Sequence, residues 1–225
     1  MKKFFILLLL SATTYAEPLR VAVVDTGLDL EDARFKSHLC KAGHEDFTGE
    51  GIRDYVGHGT AIAGLIQKWA KDSDYCLVVL KYFKSSEKNN FSRYIQALTR
   101  ATEVGAYVVN MSLDTANPTI KEVSLVTAHP NTTFIVAAGN QSLDLDDVKE
   151  NPYLAALSLP NIVSVGNGES NVRRHKSSNY GWAVKSWIVG EGVEVEDING
   201  QKTKASGTSF SCAIKTGQFV YAKFH

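Results

Sequence analysis

The sequence predicts an α/β fold, a three-layer sandwich built on a mostly parallel central sheet. Two observations carry that expectation. Short runs rich in β-branched and apolar residues alternate along the chain with longer stretches of helical spacing, the order that gives strands joined by right-handed crossovers. Most of the runs are also apolar throughout rather than at every second position, which suits strands covered on both faces.

The elements follow in order. Met1-Lys2-Lys3 is basic, Phe4 to Leu10 is unbroken apolar, and small residues at Thr14 and Ala16 flank Tyr15. That is the sequence of a secretory signal peptide over residues 1–16, with a mature domain over 17–225. The apolar run is too short for a bilayer, which needs about 20 residues, and no later stretch is long and apolar enough for a stable membrane anchor. Strands are expected at Arg20–Asp25, Tyr75–Tyr82, Ala106–Met111, Thr133–Ala138 and Asn161–Gly166. Helices are expected at Thr60–Trp69, Ser92–Glu103 and Thr119–His129, with another after Gly207-Thr208-Ser209. In the first of these, Ala61, Ile62, Leu65, Ile66 and Trp69 recur at helical spacing and mark the buried face. No repeat, low-complexity tract or linker divides the chain, so one large domain with a single substantial core is expected.

Charge and cysteines narrow the function. The 24 basic and 24 acidic side chains are interspersed, so no basic face announces a nucleic-acid partner. Three cysteines, Cys40, Cys76 and Cys212, show no zinc-type spacing. In an oxidising compartment one pair can bridge and one thiol is left over. The expected pair is Cys40–Cys76, both in the more peripheral first half, with Cys212 reduced in a buried helix. Asp144, Asp146 and Asp147 contain oxygens for calcium, but so short a run reads better as an acidic surface loop. No cofactor is expected. Asn110-Met111-Ser112 and Asn131-Thr132-Thr133 match the glycosylation pattern by chance.

In open α/β sheets the carboxyl ends of the strands gather the ligand, and polar groups stand there. Asp25 ends the first strand in Val21-Ala22-Val23-Val24-Asp25-Thr26-Gly27. His58 precedes a helix in Gly57-His58-Gly59-Thr60. Ser112 closes the third strand, and Ala137-Ala138-Gly139-Asn140 ends the fourth. Ser209 opens the last helix in Gly207-Thr208-Ser209. Taken singly these are a turn aspartate, a surface histidine, a turn asparagine and a helix cap. Taken together they supply every role in acyl transfer. A serine hydroxyl needs a base, an imidazole is one near neutral pH, a buried carboxylate orients it, and an amide can donate to the oxyanion.

The segments VAVVDTGLD (Val21–Asp29), GHGTAIAGL (Gly57–Leu65), VNMSL (Val109–Leu113), AAGN (Ala137–Asn140) and GTSFSCA (Gly207–Ala213) resemble the subtilisin-like serine proteases, over about Val21 to Gly217. The resemblance implies a subtilisin-like fold and a serine endopeptidase acting on protein or peptide substrates; the signal peptide expected over residues 1–16 makes it secreted or periplasmic. By it, Asp25 orients His58, His58 is the general base, Ser209 attacks and Asn140 lies in the oxyanion hole. Ser112, Leu113 and Asp114 on one side, with Ala137, Ala138 and Gly139 on the other, would line the substrate cleft and pair with an extended peptide. Departures from the family pattern are Ala61 for a second histidine, Ala213 for a proline and Asp114 for a cleft glycine. A propeptide and further C-terminal helices are family features for which the expected mature domain leaves eight residues, from Glu17, before Asp25 and sixteen after Ser209. The loop that often carries calcium beyond the histidine helix is also missing. A carboxylate at Asp114 would favour Lys or Arg in the main pocket; a solvated loop aspartate is the plainer reading.

Two other hydrolase readings fail on residues. An aspartic protease needs a second Asp-Thr-Gly, and Asp114-Thr115-Ala116 lacks the glycine. An α/β-hydrolase needs G-x-S-x-G, and Phe210-Ser211 follow Ser209. The alternative that stands is a catalytically inactive module of the same fold that binds peptides or a protein partner.

Overall fold

A computed structural model of the chain describes residues 17–84, 86, 91–113, 116–147, 149–150, 152–170 and 173–225. The expected signal peptide and Asp114 lie outside them.

The main sheet is assembled in the order β2 (Glu45–Asp46), β3 (Tyr75–Lys81), β1 (Leu19–Asp25), β4 (Val108–Met111), β5 (Thr133–Ala137), β6 (Ile162–Ser170) and β7 (Arg173–Arg174), with β8 (Ser186–Ile188) also paired to β6. The pairings from β2 through β6, and that of β8, are parallel; β6–β7 is antiparallel. A separate hairpin joins β9 (Val193–Glu196) to β10 (Lys202–Ala205).

The continuous apolar strands are explained by what covers them. Along β1, Val21 and Val23 pack in one layer with Ile62, Leu65 and Ile66 of α1 (His58–Ala70) and Ile214 and Val220 of α4 (Thr208–Phe224). Ala22 and Val24 pack in the other, with Tyr94 and Leu98 of α2 (Phe91–Glu103) and Val126 of α3 (Ile120–Ala128). Helices therefore sandwich the sheet in three layers, as the sequence predicts. The α1–α4 contact is close: a Cβ on Gly217 would stand 2.6 Å from both the Ile66 carbonyl oxygen and Trp69 Cβ.

Differences from the expected elements have local causes. Trp69, assigned to the buried face of α1, is 37% exposed at its edge. The helix starts at His58 rather than Thr60, because Asp54 caps it from outside: its carboxylate accepts the amides of Val56, Gly57 and Thr60. β4 starts at Val108 because Ala106 still bonds back to Ala101 at the end of α2. Thr119 and Glu122 form a capping box at α3. The short strands β7 to β10 carry much polar and exposed sequence, so no apolar run announces them.

Cys40 and Cys76 form the expected disulfide, with Cα atoms 4.8 Å apart. The Cys40 amide bonds to the Leu77 carbonyl beside Cys76, which brings the two together. Cys212 is a free, buried thiol, and burial pushes its pKa up to about 12. Among the described residues no helix is long and apolar enough to cross a membrane.

Candidate active site

Four of the residues singled out in the sequence arrive at the carboxyl edge of the sheet. Asp25 is the last residue of β1 and is almost fully buried. Its Oδ1 accepts the Thr26 amide at 2.8 Å and lies 2.7 Å from His58 Nδ1. Oδ2 is buried with no hydrogen-bond partner among the described residues. A buried carboxylate so poorly satisfied leans on the imidazole for its compensation.

His58 opens α1, and its side chain is 30% exposed. Burial disfavours its protonated form, but the charge and hydrogen bond of Asp25, with Asp54 contributing, carry its pKa above the ordinary 6.5. Asp54 joins the two turns physically. Thr26 Oγ1 donates to Asp54 Oδ1 at 2.9 Å and accepts the Gly59 amide at 2.8 Å, while Thr60 Oγ1 donates to Asp54 Oδ2 at 2.7 Å. Sequence reasoning missed this residue. The usable signal was an acidic residue four positions before the histidine, in reach of the helix amides.

Ser209 lies in the first turn of α4 and is half-buried. The helix start leaves its amide without an intrahelical acceptor. The neighbouring Phe210 ring stands 5.8 Å from the His58 ring, centroid to centroid. Among the described residues no hydrogen bond joins Ser209 Oγ to His58. Behind the serine, Ser112 Oγ donates to the Ser209 carbonyl at 2.8 Å and also meets the Asn110 amide group at 2.9 Å. Asn110 is fully buried, and its Oδ1 accepts from Thr216 Oγ1 at 2.9 Å.

Asn140 is exposed, three residues beyond β5. Its Oδ1 accepts the amide of Thr208 at 2.9 Å and the Thr208 hydroxyl at 3.2 Å. The acceptor end is thereby used, and the NH2 end is the one left to donate. The turn around it is fastened by Asn179, Gln141 and Tyr153, none of which the sequence reading singled out.

The expected cleft residues divide. Ser112 is buried and committed to α4, and Leu113 is half-buried. Ala137 and Ala138 are buried in opposite core layers. The amides of Ala138 and Gly139 already bond to the Val165 carbonyl and Thr208 Oγ1, so a peptide meeting this segment would find those donors engaged. Asp114 is not among the described residues. Asp146 accepts the amides of Trp182 and Ala183, and Asp144 accepts that of Asp146. Among the described residues no group of three His, Cys, Asp or Glu side chains converges for a metal.

Comparison with known proteins agrees with this fold. Residues 17–223 match the Subtilase family of S8 peptidases. Subtilisin-like protease 7 of Trichophyton equinum is 26% identical over 220 residues, covering 93% of this chain and 53% of its own length. Subtilisin-like protease 1 of Pseudogymnoascus destructans is 30% identical over 209 residues, covering 89% and 50%. The chain thus spans about half the length of these curated relatives. Among solved structures, a cold-adapted subtilisin-like serine proteinase superposes with a TM-score of 0.74 at 25% identity, covering 88% of this chain and 72% of that one. A lanthipeptide protease shares the fold at a TM-score of 0.74 and 21% identity, covering 90% and 72%. By sequence and by fold, this chain belongs to the subtilase family.

Proposed function

We propose that the chain is an exported serine endopeptidase that cleaves protein or peptide substrates through an acyl-enzyme. The observation that carries this reading is the 2.7 Å bond between Asp25 and His58 at the head of α1, placed beside the first turn of α4 with Ser209 and Asn140. In this reading Ser209 Oγ attacks the peptide carbonyl while His58 Nε2 takes its proton. Asp25, bonded to Nδ1, holds the tautomer and stabilises the imidazolium. The Asn140 NH2 and the Ser209 amide donate to the oxyanion. His58 then gives the proton to the leaving amine, and water, activated by the same base, releases the acyl group. The Ser209–His58 bond closes with substrate; such bonds are commonly long in the free enzyme.

The remaining parts of the reading are the peptidase domain over 17–225, export by residues 1–16, and a cleft between the Ser112–Asp114 and Ala137–Gly139 segments. The Cys40–Cys76 disulfide supports an oxidising compartment. N-terminal sequencing of protein from its host is expected to begin at Glu17; a retained Met1 on cytosolic protein would refute export.

A fluorophosphonate labelling gel tests the chemistry. Wild type is expected to label at Ser209, and Ser209→Ala to be silent. If both are silent and both bind the same peptide, the chain is a binding module.

A further inference from the structure

The turn that presents Asn140 makes few bonds through Asn140 itself, yet it is held on all sides by one side chain from elsewhere. Asn179 is fully buried, in the polar run after β7. Its Nδ2 donates to the Ala138 carbonyl at 2.8 Å and to Gln141 Oε1 at 3.2 Å. Its Oδ1 accepts the amides of Gln141 at 3.0 Å and Leu143 at 2.9 Å. Its own amide donates to the Gly139 carbonyl at 2.9 Å. All four hydrogen-bonding positions of the carboxamide are filled, and every partner lies within residues 138–143. Gly139 has φ +103, and a Cβ on it would stand 2.3 Å from Asn179 Nδ2. The turn is therefore in close contact with the brace. Gln141 completes the arrangement: its Oε1 also accepts the Asn140 amide at 2.8 Å and the Tyr153 hydroxyl at 3.2 Å.

We propose that Asn179, through Gln141, is a positioning residue for the oxyanion donor Asn140. The inference rests on the serine-protease reading above. An oxyanion donor is effective when it is held in place before charge develops, and a residue at an exposed turn has little packing to hold it. A buried carboxamide with four bonds supplies that rigidity without touching substrate. Only a carboxamide offers two donors and two acceptors at once in so small a side chain. Aspartate in its place would set a charge against the Ala138 carbonyl.

The test is a pair of double-mutant cycles read by steady-state kinetics on a generic peptide. Asn179→Ala and Gln141→Ala, the latter at an exposed position that should fold, are each made in wild type and in Asn140→Ala. Each is expected to lower kcat about tenfold or more with KM little changed, and by no more than the roughly 10²–10³-fold loss for a single oxyanion donor. In the Asn140→Ala background each loss is expected to shrink to within about twofold, because the residue acts only through Asn140. Losses of equal size in both backgrounds, or a change mainly in KM, would show a general structural brace and overturn the proposal. An active wild type with unaffected Gln141→Ala and Asn179→Ala would overturn it alone. A wild type unreactive to phosphonate and inert to peptide would overturn both it and the function beneath it.

Discussion

Asn140 Oδ1 accepts the Thr208 amide one residue before Ser209, so the proposed nucleophile and oxyanion donor are tied by a bond of 2.9 Å. That bond decides which end of the Asn140 side chain donates. Asn140→Ala is expected to lower kcat about 10²–10³-fold with little effect on KM, a magnitude taken over from subtilisin itself. Asn140→Asp should be no rescue, since it places a negative charge beside the oxyanion. Turnover and KM measured for both variants check this.

Ser209→Ala and His58→Ala are each expected to abolish measurable turnover, and the double variant to be no worse than either. Hydroxyl and base act as one unit, so their losses do not add. Additive losses on the same peptide would show that His58 does not serve Ser209.

The Asp25–His58 pair sets a pH dependence with opposite signs for activity and for stability. The base must be neutral, so kcat/KM is expected to fall as pH drops through the His58 pKa, which lies above 6.5. Stability runs the other way. With its folded pKa raised, protonated His58 contributes stability that is complete below its unfolded pKa and is lost as pH rises through the folded one. In Asp25→Asn the acidic limb should move to lower pH, because burial then acts on the ring without its main opponent. A pH profile of kcat/KM with a limb unmoved by that change would contradict the assignment.

Asp54 is expected to matter to the fold before it matters to catalysis. It accepts five hydrogen bonds, from three amides and two threonine hydroxyls. Asp54→Ala removes the cap and strands buried donors, at a cost of at least about 2 kcal/mol. It should also lower the His58 pKa slightly. Urea unfolding and the kcat/KM profile measure the two effects separately.

The Cys40–Cys76 bridge closes a loop with a sequence separation of 36 residues. Chain entropy puts its loss, in Cys40→Ala with Cys76→Ala, at about 3–4 kcal/mol before any relaxation of the native state. Thermal unfolding with and without reductant checks this. Native alkylation should leave Cys212 untouched, since its thiol is buried and its pKa high.

Much of this was legible in the sequence, for a physical reason. Asp25, His58, Asn140 and Ser209 each sit at the boundary of an element whose apolar run or helical spacing is local, so both the residue and its place are readable together. The layers were legible because Val21 to Val24 is apolar at every position. What escaped acts across distance. Asn179 reaches its turn from 39 residues beyond Asn140 through backbone contacts that leave no period. Tyr153 and Gln141 look like ordinary surface or core residues until the turn is folded. The β9–β10 hairpin escaped for the opposite reason, as alternating charge carries no apolar run.

The tight crossing at Gly217 has a mechanical meaning. The proposed base rides on α1 and the proposed nucleophile on α4; both helices pack on the same face of the sheet, and they also meet each other directly at this crossing. Gly217 lies about 12 Å along α4 from Ser209 at the usual helical rise. A single added methyl there would wedge the helices apart at the Ile66 carbonyl, and the tilt would reach the reacting atoms as a change in their spacing. The distance between base and nucleophile is therefore adjustable from a site with no chemistry of its own.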